Sequence, residues 1–257
     1  MRNKIQFLVL SILLALALSG CSPSSEQQSV PIGESDAEIG SVYVVNYPLQ
    51  YFAERIGGEH VIVRFPAPPD VDPAYWMPIA DEVLRYQQAD LILLNGADYA
   101  KWVSTASLPQ AKIVDTSAGF RDQLIRLEEA TTHSHGPEGQ HAHGGLAFTI
   151  WLDPKLAIEQ ARTITATFAK QWPEHEQDFR KRLADLEKDL SGMDAAFQET
   201  LAEARDMLVI FSYPVYQYFQ QRYALDGKSV HWEPDEVPTA EQWDELAAGL
   251  QRRVADV

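Results

Sequence analysis

Four of the seven histidines of this 257-residue chain fall within residues 131–154. They form two His-x-His pairs, His133/His135 and His141/His143, with five residues between the pairs. A neutral imidazole is a nitrogen donor suited to Zn, Cu and Ni. Gly136, Gly139, Gly144 and Gly145 give the backbone the freedom to bring all four rings around one ion. The chemistry expected here is divalent-cation binding, Zn²⁺ first. Affinity should be modest, because ordering a loop costs roughly 1–2 kcal/mol for each residue held. The competing reading is a solvated loop whose histidines do nothing.

A second cluster follows at His231-Trp232-Glu233-Pro234-Asp235-Glu236. His231, Glu233, Asp235 and Glu236 place one imidazole and three carboxylates within six residues. This is a possible additional cation site or an exposed acidic turn. His175 sits on an apolar helical stripe with Trp172 and Phe179 and reads as a satisfied, partly buried side chain. His60 opens a strand and reads as structural or exposed. No Ser/His/Asp or Cys/His constellation and no phosphate-cradling glycine loop is found, so the chain does not read as an enzyme.

The N-terminus determines the compartment. Arg2 and Lys4 precede an apolar run, residues 7–18, and Leu18-Ser19-Gly20-Cys21 follows. Residues 1–20 therefore read as a signal peptide of the lipoprotein kind, with Cys21, the only cysteine, as the lipidated residue. With one cysteine no internal disulfide is possible. Residues 21–40, rich in Ser, Gln, Pro and Gly, read as a flexible tether. The formal net charge is −16, and removal of residues 1–20 takes two more positive charges away. Such a surface repels nucleic acid and anionic lipid heads. The expected molecule is an extracytoplasmic monomer held at a membrane by its lipid.

The elements that must carry these residues read as an α/β protein. Val42-Tyr43-Val44-Val45-Asn46, residues 61–65, Asp90-Leu91-Ile92-Leu93-Leu94-Asn95-Gly96 and residues 112–114 are short apolar, β-branched runs. Helical patterns lie between them: one opens at Pro48 and stops at Gly57-Gly58, a second runs through Ile79, Val83, Leu84 and Tyr86, and a short one covers residues 99–103. That alternation predicts a parallel sheet covered on both faces. From Asp153-Pro154 the apolar stripe Ala157, Ala161, Ile164, Phe168, Trp172 runs at helical spacing. It resumes after Pro173, where the helix kinks or a second one starts. A coiled coil is the rival reading of the second stripe. Met207-Leu208-Val209-Ile210-Phe211 is another buried strand, followed by an aromatic helix over residues 214–223, a strand at 229–232 and a helix over 239–254. The parse is an N-terminal α/β lobe (41–130), a His-rich loop (131–146), linking backbone helices (147–205) and a shortened C-terminal α/β lobe (206–257).

Several of these strings, in this order, resemble the zinc- and manganese-type substrate-binding lipoproteins of bacterial metal ABC transporters. They are Tyr47-Pro48-Leu49 with Tyr51-Phe52-Ala53, Ile56-Gly57-Gly58, residues 89–97, Ile150-Trp151-Leu152-Asp153-Pro154-Lys155, and Tyr218-Phe219 with Arg222, Tyr223 and Leu225. The resemblance covers most of residues 41–250. It implies two α/β lobes with parallel sheets joined by a long backbone helix, a divalent metal held between the lobes by three His and one acidic residue, and an ABC permease as partner. The ligand positions implied by the resemblance are substituted here. The first, after Asp72-Pro73, is Ala74; the second, two residues before Trp151, is Thr149; the third, before Pro214, is Tyr213. The acidic ligand is expected in a segment beyond residue 257. Alanine has no donor atom, and neutral hydroxyls are poor zinc ligands.

Two functions remain in view. One is a lipid-anchored metal-binding protein of an uptake system, with metal held mainly by the His-rich loop. The other is a divergent relative outside transport. In it Tyr75, Trp76 and Tyr213 either fill the vacated cleft or recognise another small ligand.

Overall fold

A computed structural model describes residues 39–134, 140–205, 207–232 and 237–255. Residues 1–38, which hold the segment read as a signal peptide, Cys21 and most of the segment read as a tether, lie outside the described residues, and Gly40, at the end of that tether, opens the first strand. The first sheet is built from β1 (Gly40–Val44), β2 (Val61–Arg64), β3 (Leu91–Leu94) and β4 (Ile113–Asp115), in the order β2-β1-β3-β4. All three pairings are parallel. The centre of the sheet is the most buried part: Val42, Val44, Ile92 and Leu93, from β1 and β3, have no exposed surface. Helix α1 (Tyr47–Gly57) starts where the Asn46 side chain accepts the Leu49 N–H at 3.0 Å, with Pro48 in its first turn. It ends at Gly58, whose φ of 56° is the left-handed cap that glycine adopts without strain. Helix α2 (Ala80–Gln88) returns the chain to β3. The short helix expected at 99–103 is a 3-10 turn, Lys101–Ser104. Ala97 and Asp98 just before it have φ of 49° and 54°, so the chain enters it from a left-handed bend and not from a helical start.

Residues 154–200 form two helices, α3 (Pro154–Gln171) and α4 (Glu176–Thr200), with a 3-10 turn at Pro173–His175. Pro173 has no N–H to continue the ladder, so the second of the two expected outcomes holds. The helices run antiparallel: Arg162 meets Glu187 at 2.7 Å, and Phe168, later in α3, meets Phe179, earlier in α4, with ring centroids 5.6 Å apart. Their apolar stripes are spent on each other and on α1, in one core that holds Leu49, Phe52, Ile56, Ile164, Phe168, Phe179 and Leu186. The stripe that suggested a coiled coil is thus the buried face of an intramolecular hairpin.

The second sheet has two parallel strands, β7 (Leu208–Phe211) and β8 (Asp226–Ser229), joined by helix α5 (Gln217–Tyr223). Helix α6 (Ala240–Ala255) follows. The His-rich stretch departs most from the sequence reading. Its backbone is an antiparallel ribbon of β5 (Arg126–Ser134) and β6 (Gln140–Leu146). The register opposes His133 to His141 and Thr131 to His143. Residues 128–145 show no apolar alternation in the sequence, so a ribbon there leaves no strand pattern to read. Residues 135–139, with His135, lie outside the described residues. Among the described residues no helix is long and apolar enough to cross a membrane.

Phe168 is fully buried at the meeting point of α1, α3 and α4. Phe168→Ala should lower unfolding free energy by about 3–5 kcal/mol. Lys170→Ala, on the outer side of the same helix, should stay within about 0.5 kcal/mol. Urea unfolding followed by circular dichroism reads both.

Candidate functional site

The C-terminal ends of β1, β3 and β4 carry a buried chain of amides and hydroxyls. The Asn46 amide donates to Asn95 Oδ1 at 3.1 Å, and Asn95 Nδ2 donates to the Phe148 carbonyl at 2.9 Å. Gln160 Nε2, from α3, donates to Thr116 Oγ1 at 2.9 Å and to the Asn95 carbonyl at 3.2 Å. All four side chains are essentially without exposure. Buried polar groups of this kind are costly unless paired, so the chain ties three strand ends, one helix and the segment entering it into a single geometry. Gly96 next to Asn95 has a φ of 80°, and a Cβ there would lie 1.9 Å from Ser117 Oγ, so no other residue fits that turn.

Residue 148 is thereby fixed, and Thr149 with it. Thr149 is buried, and its hydroxyl donates a short hydrogen bond to the Val215 carbonyl, two residues past Tyr213. Thr149 and Tyr213 line one cavity of about 50 Å³ with Phe148, Pro214 and Val215. That is far below the roughly 300–1,000 Å³ of ordinary ligand pockets. Ala74 is buried in the main core, and its N–H donates to Asp72 at 2.9 Å. The Tyr213 ring lies 4.7 Å from the ring of His231. Burial pushes the Tyr75 hydroxyl up to about 12, with the charge of Asp72 and the nearness of Tyr213 adding to it. Tyr99 is raised further, by burial first and Asp72 second, and packs edge-on against Phe148 and Trp151. The structure therefore gathers Tyr75, Tyr213 and His231 in one region and joins Thr149 to the Tyr213 segment. Glu233, Asp235 and Glu236 lie outside the described residues. Of His133, His141 and His143 only the backbone register is described. Among the residues whose side chains are described, no group of three His, Cys, Asp or Glu is arranged to hold a metal ion.

Two further clusters complete the surroundings. His60 stacks on His175 with ring centroids 3.8 Å apart, and His60 Nε2 lies 3.0 Å from Asp178. Neither ring is fully exposed, and the two pack on each other and on Phe179. The second cluster was not singled out as a site. Arg222 from α5 donates to both oxygens of Asp194 in α4, by Nε at 2.9 Å and by Nη2 at closer range. Tyr223 donates to Asp194 at 3.1 Å, and Asp153, the N-cap of α3, lies 3.5 Å from Arg222. Burial disfavours the Asp194 carboxylate, but the hydrogen bond and charge of Arg222, with Tyr223, outweigh it and hold the carboxyl below its usual range. For Asp153 burial prevails over the Lys155 N–H and Arg222 and the carboxyl is raised. Tyr218, one turn before Arg222 on α5, accepts the Ile125 N–H at 3.2 Å and donates to the Ala147 carbonyl at 3.0 Å. The signal for this cluster in the sequence was the Tyr218…Arg222 spacing of one helical turn.

The family model of the periplasmic zinc-uptake complex component A (ZnuA) matches residues 42–257. The chain belongs to the ZnuA family. The zinc-binding lipoprotein AdcA of Streptococcus pneumoniae is 25% identical over 250 residues, covering 95% of this chain and 48% of that protein. The chain thus spans about half the length of this curated relative. The high-affinity zinc uptake system protein ZnuA of Bacillus subtilis is 28% identical over 230 residues, covering 88% of this chain and 70% of that protein. Among solved structures, the metal-dependent lipoprotein YcdH of B. subtilis superposes with a TM-score of 0.69 at 24% identity, over 83% of this chain and 75% of that one. The Zn(II)-bound ZnuA-like domain of S. pneumoniae AdcA gives 0.68 at 20% identity, over 83% and 75%. The ZnuA fold expected from the sequence, α/β with parallel sheets and long connecting helices, is therefore the fold of this chain.

Breaking the Arg222–Asp194 pair leaves a buried charge, so Arg222→Met should cost about 3–5 kcal/mol in urea unfolding. The Asp194 pair also carries a pH dependence of fixed sign. Its carboxyl ionises more readily folded than unfolded, so its contribution is complete above about pH 4–5 and is lost as pH falls through the lowered folded value. Asp153, raised on folding, acts oppositely: its contribution is lost as pH rises through its folded value. Asp194→Asn should accordingly flatten the acid limb of a stability–pH curve below about pH 4, while Asp153→Asn should steepen the same curve just above about pH 4, between its unfolded and raised folded values.

Proposed function

We propose that this ZnuA-family chain is the extracytoplasmic, metal-binding component of a zinc-type uptake system, anchored by lipid on Cys21. In this reading it collects Zn²⁺ or a similar divalent ion on the β5–β6 ribbon and delivers it to an ABC permease. The observation that carries it is the ribbon. His141 and His143 are two apart on one strand and His133 is the register partner of His141, so three histidines occupy positions that share one face of a two-stranded pairing. His135 follows two residues after His133. Imidazoles converging from such positions suit a zinc or copper ion. The substituted cleft positions support the same assignment: Ala74 has no donor atom, and Thr149 offers a neutral hydroxyl already engaged with a carbonyl. The family is one of binding proteins, and the chain is read as a binder and not as a catalyst. It works as a monomer, and its acidic surface keeps it off nucleic acid.

A second reading is favoured by one observation, the 50 Å³ cavity between Thr149 and Tyr213. In it the chain is a ZnuA relative outside transport, whose cleft is packed with its own side chains.

Titration calorimetry with Zn²⁺ separates the two. The full chain should bind zinc at micromolar or tighter concentration. Replacing His133, His135, His141 and His143 with Ala should weaken binding at least tenfold, or about 1.4 kcal/mol. Equal affinity of both proteins would move the metal elsewhere, and no binding by either would leave the second reading.

A further inference from the structure

Three contacts join the β7–α5–β8 unit to the segments on either side of the α3 start, and each comes from a different part of that unit. Before α5, the Val215 carbonyl accepts the hydroxyl of buried Thr149. In the middle of α5, the Tyr218 hydroxyl is inserted between the Ile125 N–H at 3.2 Å and the Ala147 carbonyl at 3.0 Å, and only 2% of this residue is exposed. At the end of α5, Arg222 bridges Asp194 of α4 and the Asp153 cap. The second takes up backbone groups at the base of the His-bearing ribbon, where Ala147 N–H also pairs with the Ile125 carbonyl at 2.9 Å. Tyr218 packs there in a small apolar cluster with Ala97, Phe120, Ala147, Ile150 and Leu156.

Each contact is one that opening would break. A separated Thr149 and Tyr218 would have to exchange protein partners for water, and Arg222 would leave two carboxylates behind. The Tyr218 ring would lose its burial as well. Among the described residues, the cavity that Thr149 and Tyr213 line holds about 50 Å³, so an ion with its hydration shell would enter it only by displacing one of them.

We infer that Thr149, Tyr218 and Arg222 form a metal-independent clasp, which holds the β7–α5–β8 unit closed on the entry to α3 whether or not the ribbon carries an ion. Thr149 and Tyr218 are its positioning residues. The clasp rests on the ribbon reading only for where the metal goes; closure itself rests on the three contacts. Its consequence is that ion binding and closure are uncoupled in this chain: the ribbon loads and unloads without a movement of the second sheet.

Hydrogen–deuterium exchange on the full chain tests this. Amides in 145–153 and 213–223 should exchange at the same rate in chelator and in saturating zinc. Thr149→Val combined with Tyr218→Phe should raise exchange in both segments at least tenfold, while amides of β1 and β3 stay protected. Chelator alone accelerating those segments tenfold or more would overturn the clasp, since closure would then need the ion. So would a folded double variant exchanging like the parent. If the double variant does not fold, small-angle scattering of the parent decides: an unchanged radius of gyration with chelator and with zinc is expected, and expansion in chelator overturns the proposal. Zinc calorimetry on the same samples keeps the two claims apart. Absence of binding removes the ribbon reading, while rapid exchange in chelator removes the clasp.

Discussion

Everything near the cleft depends on the amide chain at the strand ends. Asn46 lies two residues past β1 and Asn95 directly follows β3, where two parallel strands release their chains at the same edge. Parallel strands end with their loops side by side, and loops full of backbone polar groups cannot be buried unless something pairs them. Here one asparagine caps α1 and donates to the second, the second holds the Phe148 carbonyl, and Gln160 reaches down from α3 to close the set. One consequence is that the entry to α3 cannot drift relative to the sheet. The position of Thr149 follows from that entry, and the contacts of α5 follow from Thr149.

The second constraint is coverage of that sheet. α1 lies against α3 and α4, which reach it as an antiparallel hairpin made possible by the break at Pro173. A single unbroken helix of that length would leave half of its stripe in water. Folding it back lets Phe168 and Phe179 meet and gives both halves the same core. α4 is then long enough to extend past the sheet and offer Asp194 to Arg222. The pair is buried and therefore contributes through geometry more than through net energy: it sets where α5 docks, and each of its members is costly to strand.

Much of the fold was legible in the chain. The four strands of the first sheet, β7, and the α1, α2, α3, α4 and α6 helices were found within a few residues, because burial on both faces leaves continuous apolar runs in strands and a stripe in helices. β8 was placed three residues late, since Asp226-Gly227-Lys228-Ser229 is polar and is recognised only by its pairing with Leu208–Phe211. The ribbon was missed for the same reason: Glu128-Glu129-Ala130-Thr131-Thr132 shows no apolar face, and its structure is held by main-chain bonds. Ala74, Thr149 and Tyr213, which the resemblance marks as substituted, were named through the strings around them, but the partners they meet were not.

The sequence by itself determined the parallel α/β plan, the break at Pro173, the family strings and the concentration of histidine at 131–146. These are local properties, set by residue type and spacing. Only the tertiary structure decided that Thr149 reaches the Val215 carbonyl, that Tyr218 inserts between Ile125 and Ala147, and that Arg222 finds Asp194 and Asp153. Those partners are between 28 and 93 residues apart along the chain. A hydroxyl or a guanidinium carries no mark in the sequence of which distant carbonyl or carboxylate it will meet, because that is settled by how the helices cover the sheet.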